Sequence, residues 1–419
     1  MTSHSRPVVV VGAGLAGLVC ALELQARGVD TIVLDSADAP GGRVRTDVHD
    51  GFLLDRGFQV ALTAYPEMHR QLDMAELRLR PFEPGALVHH GGRDHEIADP
   101  FRSPRSLLPT LRSVLLGRIG SPTDLVRLGL LRQRLRRGHP AGLLRGHDMP
   151  TVEALSRLGF TPSFVDAFFR PLVGGIQLDP SLSTTSRMFD VIMRMLLDGD
   201  AAVPATGMGA IPRQLSERLV PGTLRLDTPV VAVRSCAVDT ESGTIDATAV
   251  IVATDGPTAS SLTGLPPVGS RAVGCVYFDA PEPPTLRRLI VLDGERSGSA
   301  LNVAVMSNVA PGYAPPGRHL IAAATPGDIG GDVEDRVISQ LRSWWGDRVD
   351  TWRHLRTYRI VHGQPDQNPP FSPRRTQRVS DGLLVCGDHR DTGSIQGAMF
   401  SGRRCAETLA GELGARAPA

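Results

Sequence analysis

Apolar positions change period sharply near the start of this chain. Val8–Val11 is an unbroken apolar run, glycines follow, and from Leu15 the apolar positions recur at helical spacing until Gly28. Thr31–Leu34 is apolar again and ends at Asp35. Strand, helix and strand in that order predict a β-α-β unit. Further on, "PTVEALSRLGF", "TPSFVDAFFRPLVGGI", "STTSRMFDVIMRMLLDG" and "AIPRQLSERLV" predict helices, the third with a Ser/Thr start and a Gly stop. "TPVVAVRS" and "ATAVIVATD" return to strand character. Between Pro266 and Asn368 the strands "RAVGCVYFDA", "RLIVLDG" and "RHLIAAAT" alternate with Pro/Gly turns, before a helix at "VEDRVISQLRSWWG". The chain closes on a strand, "DGLLVCGD", and a helix, "GAMFSGRRCAETLAGEL". His89, His90 and His95 are assigned to loops. They lack a carboxylate arrangement that would suggest a metal site.

Length adds that 419 residues exceed what one core usually serves, so two domains are expected, and the short linkers predict that they interleave. A net charge of +1 gives no bulk attraction to nucleic acid. All 45 basic side chains are arginine, which excludes a Schiff base or a lysine general base. Cys20, Cys236, Cys275, Cys386 and Cys405 are scattered and form no C-x-x-C pair. That pattern fits a reducing cytoplasm and argues against disulfides or a zinc site, so no metal is expected. A first strand from about Pro7 leaves no room for a signal peptide, and no apolar run is long enough to span a bilayer. Residues 101–147 stand apart, with ten arginines, abundant leucine and one acid, Asp124. Such a stretch reads either as a peripheral membrane contact or as a solvated helical cap with its leucines in the core.

The chemistry begins at Gly12-Ala13-Gly14-Leu15-Ala16-Gly17, a G-x-G-x-x-G between a strand and a helix, with Asp35 and Ser36 at the end of the next strand. In that context the first glycine permits a tight turn, the second lets backbone approach a pyrophosphate, and the third lets helix and strand touch. The helix N-terminus offers amides to the phosphates, and Asp35 can accept from ribose hydroxyls. Nicotinamide and flavin dinucleotides share this fingerprint. A second glycine pair, Gly41-Gly42, followed by Arg43, can bring a guanidinium to the pyrophosphate as well.

"GGRVRT" resembles the G-G-R-x-x-[ST] element of the flavin-containing amine oxidoreductase superfamily, and "DRGFQV", with Gly57 and Phe58, resembles the D-x-G element after it. "GMGAIPRQLSERL" resembles that superfamily's G-G-M helix, and "TPVVAVRS", with Val230 and Val231, the strand whose backbone reads adenine. "VCGDHRDTGSIQGAMFSGRRCAE" resembles its terminal flavin motif. The resemblance implies FAD, bound non-covalently since no cysteine falls at the covalent-link position. It places Gly387, Asp388, Ser394, Ile395, Gln396 and Ala398 at the cofactor.

It also implies an α/β fold with a Rossmann-like FAD-binding domain over 1–70, 207–265 and 378–419. An α+β substrate domain with a mixed or antiparallel sheet and a helical cap would occupy 71–206 and 266–377. Amine oxidases of the superfamily commonly place a lysine near the flavin and a tyrosine where Ser394 stands, and this chain has neither. "FVDAFFRPLVGGIQLDPSLSTTS" and "YRIVHGQPDQNP" resemble the phytoene-desaturase and protoporphyrinogen-oxidase-like branch.

The expected activity is removal of hydride and proton from a hydrophobic, polyene or terpenoid-like molecule, or its isomerisation. The acceptor would be oxygen or a quinone, since no second dinucleotide fingerprint is present. The rivals are an amine oxidase with an altered site and a non-catalytic binding protein on the same fold. Candidate proton handlers are Arg56, Arg170, His362 and Gln364, each with a structural role as its plainer reading.

Overall fold

A computed structural model describes residues 6–117 and 119–414 of the chain. Arg118, one of the ten arginines of the basic stretch, and the ends of the outer segments (1–5 and 415–419) lie outside the described residues.

Val8–Val11 is buried along its whole length because it is paired on both sides in a parallel sheet, Val8 lying between Thr31 and Ala249. The order across this six-stranded sheet is Leu224–Arg225, Thr31–Leu34, Val8–Val11, Ala249–Val252, Leu383–Val385 and Arg378–Ser380. Only the last pair is antiparallel. Parallel neighbours need crossovers, and here these are long: more than 200 residues separate the central strand from Ala249. The rest of the molecule is strung between them. The final helix, Ile395–Glu412, lies on the first, Leu15–Gln25, so closely that a Cβ on Gly402 would sit 2.1 Å from the Ala16 carbonyl oxygen.

A seven-stranded mixed sheet runs in the order Arg353–Pro365, Ser270–Ala280, His319–Pro326, Asn302–Val305, Ile290–Asp293, Gly85–His90, Arg93–Ala98. Its two faces follow the two-residue period. Cys275, Tyr277, Ala304 and Ala322 join the core under the first helix, while Val276, Phe278, Val303 and Ala323 pack against the helix Val333–Trp345. The two sheets therefore share one core. His89, His90 and His95 are on this sheet, not in loops. Gly91 and Gly92 both take positive φ and close a two-residue hairpin, so the histidines flanking it pair in register. His89 stacks on Trp344 and hydrogen-bonds Asp94.

A third core is helical. Phe160, Phe164, Phe168, Phe169 and Phe189 pack ring to ring at 4.9–5.8 Å. Within that stretch Val165–Phe169 is a π-helical turn joined to the helix Arg170–Ile176. Pro171 cannot donate to the turn before it, and the widened turn absorbs the lost bond.

Candidate cofactor and substrate site

Two glycine turns form the near wall. Gly12 leaves the first strand at φ +108° and its N–H donates to the Leu34 carbonyl at 2.7 Å. A Cβ on Gly17 would lie 1.9 Å from the Gly12 oxygen, so only glycine lets the helix start this near the strand. At Gly14 a Cβ would meet nothing within 4 Å, because the residue faces open space. The second turn docks on the first: Gly41 N–H donates to the Ala13 carbonyl at 2.8 Å, and a Cβ on Gly42 would lie 3.5 Å from Gly14 Cα. Asp35 ties the turn to the second strand by accepting from the Ala13 and Ala37 amides at 2.6 and 2.8 Å.

Arg43 joins this wall to the far one. Its guanidinium donates to Asp388 and to the Gly363 carbonyl, both at 2.8 Å. Burial works against the arginine's charge, but the Asp388 carboxylate outweighs it and raises the guanidinium's pKa. The same Asp388 oxygen accepts from the His389 amide at 3.0 Å. Gln59 donates at 2.8 Å to the carbonyls of both Arg43 and Arg56 and so fixes the loop between them. Ser394 caps the final helix by accepting from Gly397 N–H at 3.0 Å, leaving that 18-residue helix with its positive end at the site.

One cavity of about 1150 Å³ extends from these walls into the helical part of the molecule. Of the residues expected from the sequence, it is lined by Gly12, Gly14, Leu15, Ala16, Asp35, Ser36, Gly41, Gly42, Arg43, Gly57, Phe58, Val230, Gly387, Asp388, Ser394, Ile395 and Ala398. Gly17 braces the turn from behind. Val231 points to solvent, and the Gln396 side chain turns away to accept from the Glu67 amide at 2.9 Å.

Arg56, His362 and Gln364 border the cavity, held by Asp47, Ser270 and the Ile176 carbonyl respectively. Arg170 is not brought to it: it pairs with Asp166 at 2.8 Å and donates to the Pro180 carbonyl. At its other end the cavity is bounded by Leu125, Leu128, Leu172, Met188, Ile192 and Leu196. Sequence reasoning missed Gln59, Tyr65, Gln177 and Asn302, which all border it. Tyr65 neighbours Ser394, and burial pushes its phenol up to about 12 against the hydrogen bond to that serine. Asn302 carried a signal, as a polar residue inside the apolar run "ALNVAVM".

The family model for flavin containing amine oxidoreductases matches residues 15–410, nearly the whole chain. The chain belongs to that family. By family it is a flavin-dependent oxidoreductase, which is what the G-G-R and terminal motifs imply. The chain is 39% identical over 105 residues to the hydroxyneurosporene desaturase of Rubrivivax gelatinosus, covering 22% of this chain and 18% of that one. It is 31% identical over 180 residues to the coproporphyrinogen III oxidase of Propionibacterium freudenreichii subsp. freudenreichii, covering 42% and 32%. These alignments span under a third of either relative's own length. A solved oxidoreductase from Methanosarcina mazei superposes over 96% of this chain and 100% of its own, with a TM-score of 0.74 at 16% identity, a likeness of fold. Among the described residues no helix is long and apolar enough to cross a membrane.

Proposed function

We propose that the protein is an FAD-dependent oxidoreductase that removes hydride and proton from a hydrophobic, polyene or terpenoid-like molecule, or isomerises it. The observation that carries this reading is the continuity of the cavity: glycine turns and an Arg–Asp pair at one end, a chamber of leucine and methionine at the other. The residues at the first end fit FAD. Gly14 and Gly42 leave backbone open to a pyrophosphate, Asp35 stands at the strand end where a ribose is read, and the capped final helix offers its positive end. None of the five cysteines lines the cavity, which supports a non-covalent cofactor. Bound FAD supplies the hydride acceptor. The chain's own residues supply position: apolar walls exclude water from the reacting bond, Arg43 and Asp388 hold the two walls at fixed separation, and Gln59 fixes the loop that carries Arg43. Proton handling falls to His362 or Gln364, the candidates that border the cavity. Oxygen or a quinone is the proposed reoxidant.

The basic stretch supports an apolar substrate taken up from a membrane surface. Leu107 and Leu111 both line the cavity and are exposed outside it. The mouth therefore opens among leucines, with Arg105 and Arg112 exposed beside them.

The test is anaerobic mixing of purified holoprotein with a C40 polyene, a porphyrinogen and a panel of amines. Bleaching of the bound flavin by the polyene or porphyrinogen is expected. Bleaching by amines alone would transfer the assignment to an amine oxidase whose one bordering phenol is Tyr65. A colourless protein that cannot be reconstituted would leave only a binding role.

A further inference from the structure

The walls of the chamber are not uniformly apolar. Gln177 and Asn302 are each only 2% exposed and border the cavity. Neither the oxygen nor the nitrogen of the Gln177 amide has a hydrogen-bond partner in the protein, and the Asn302 oxygen has none either. The Asn302 nitrogen makes one long bond, 3.4 Å to the Pro171 carbonyl. Buried amides are rarely left this way, because each unmade bond costs free energy.

The local sequence builds the arrangement. A Cβ on Gly175 would lie 1.9 Å from the Asn302 amide nitrogen, so the absence of a side chain at Gly175 opens the space in which that amide sits. The helix then ends at Ile176 and Gln177 follows directly. The turn is tied to the cofactor end, since Gln364 donates to the Ile176 carbonyl and its neighbour Gly363 accepts from Arg43.

We infer that Gln177 and Asn302 form a polar anchor in the apolar chamber. The anchor receives a hydroxyl group on the substrate. The inference rests on the reading of the chamber as the substrate site and narrows it, from any apolar molecule to a hydroxyl-bearing one. A pure hydrocarbon filling the chamber would leave these three amide atoms unpaired. A hydroxyl can both donate to an amide oxygen and accept from an amide nitrogen, so it answers both residues.

Equilibrium dialysis of the FAD-loaded protein against farnesol and against farnesene, an alcohol and a hydrocarbon of the same chain, tests this. Farnesol is expected to bind about tenfold more tightly or better, the worth of one or two hydrogen bonds gained where their absence is penalised. Gln177→Met and Asn302→Leu should bring the two ligands towards parity, with unchanged flavin content as the check that the variants fold. Equal affinities in the unaltered protein overturn the anchor and leave the apolar chamber standing. A preference that survives both substitutions also overturns it. If the FAD-loaded protein retains neither ligand, the anchor and the apolar-substrate reading fall together.

Discussion

Arg43 connects residues 320 and 345 positions away along the chain, the Gly363 carbonyl and Asp388. Removing it takes a cation from the proposed phosphate site and leaves the buried Asp388 carboxylate without its partner. For Arg43→Ala the loss of charged hydrogen bonds predicts roughly 10–100-fold weaker flavin binding, read by titrating stripped protein with FAD. Asp55 makes a different prediction. It is buried and accepts from Thr46, the Met208 amide and the Tyr313 hydroxyl. Burial outweighs these bonds and pushes its carboxyl from 3.8 up to about 6. Folded Asp55 therefore keeps a proton that the unfolded chain releases near pH 4. Its contribution to stability is whole at low pH and fades as pH rises towards 6. Relative to Asp55→Asn, the unaltered protein should lose roughly 3 kcal/mol between pH 4 and 7, measured by denaturant melts at each pH. The glycines, Arg43 and Asp388 were legible because their chemistry forces a residue type at a fixed spacing. Gln177 and Tyr65 were not, because what they do depends on which distant segment faces them.

Among elements, the contact between the first and final helices is the least forgiving. The Gly402 Cβ position, 2.1 Å from a backbone oxygen, cannot be accommodated by a side-chain rotation. Gly402→Ala should force the helices apart and cost roughly 1–3 kcal/mol, with flavin content falling in step because the same helix caps the site. Gly411 lies on the same helix with nothing within 4 Å of its Cβ position. Gly411→Ala should be neutral or stabilise by roughly 0.5–1 kcal/mol, so thermal melts of the two variants separate packing from helix propensity. Apolar periodicity located most helices and strands of the chain, since burial on one or both faces writes that period. It failed where pairing was set by a turn, as at Gly91-Gly92, which places the adjacent histidines in strands. Spacing also hid a cluster: Cys20, Cys386 and Cys405, scattered in sequence, bring their sulfurs within 4.8 Å of one another in the core beneath these helices.

At the scale of the molecule, the basic stretch has one buried and one exposed apolar face. Leu131 and Leu135 are buried in the helical core, as the cap reading expects. Leu108 and Leu115 on one helix, and Val126 and Leu130 on the next, are instead 58–70% exposed, spaced seven and four residues apart, which puts each pair on one helical face. Apolar side chains left in water at helical spacing, with Arg105, Arg112 and Arg134 exposed around them, match the two requirements of an interfacial anchor. Each arginine near an anionic surface contributes about 1 kcal/mol, and the contribution is screened by salt. The holoprotein should therefore co-sediment with vesicles containing phosphatidylglycerol, less with phosphatidylcholine alone, and less again as salt is raised. Leu108→Glu combined with Leu130→Glu should abolish sedimentation without changing flavin content, because neither side chain lines the cavity. Sedimentation that is absent on every lipid composition would return the stretch to a solvated cap. Binding that ignores both lipid charge and the two glutamates would place the contact elsewhere on the molecule.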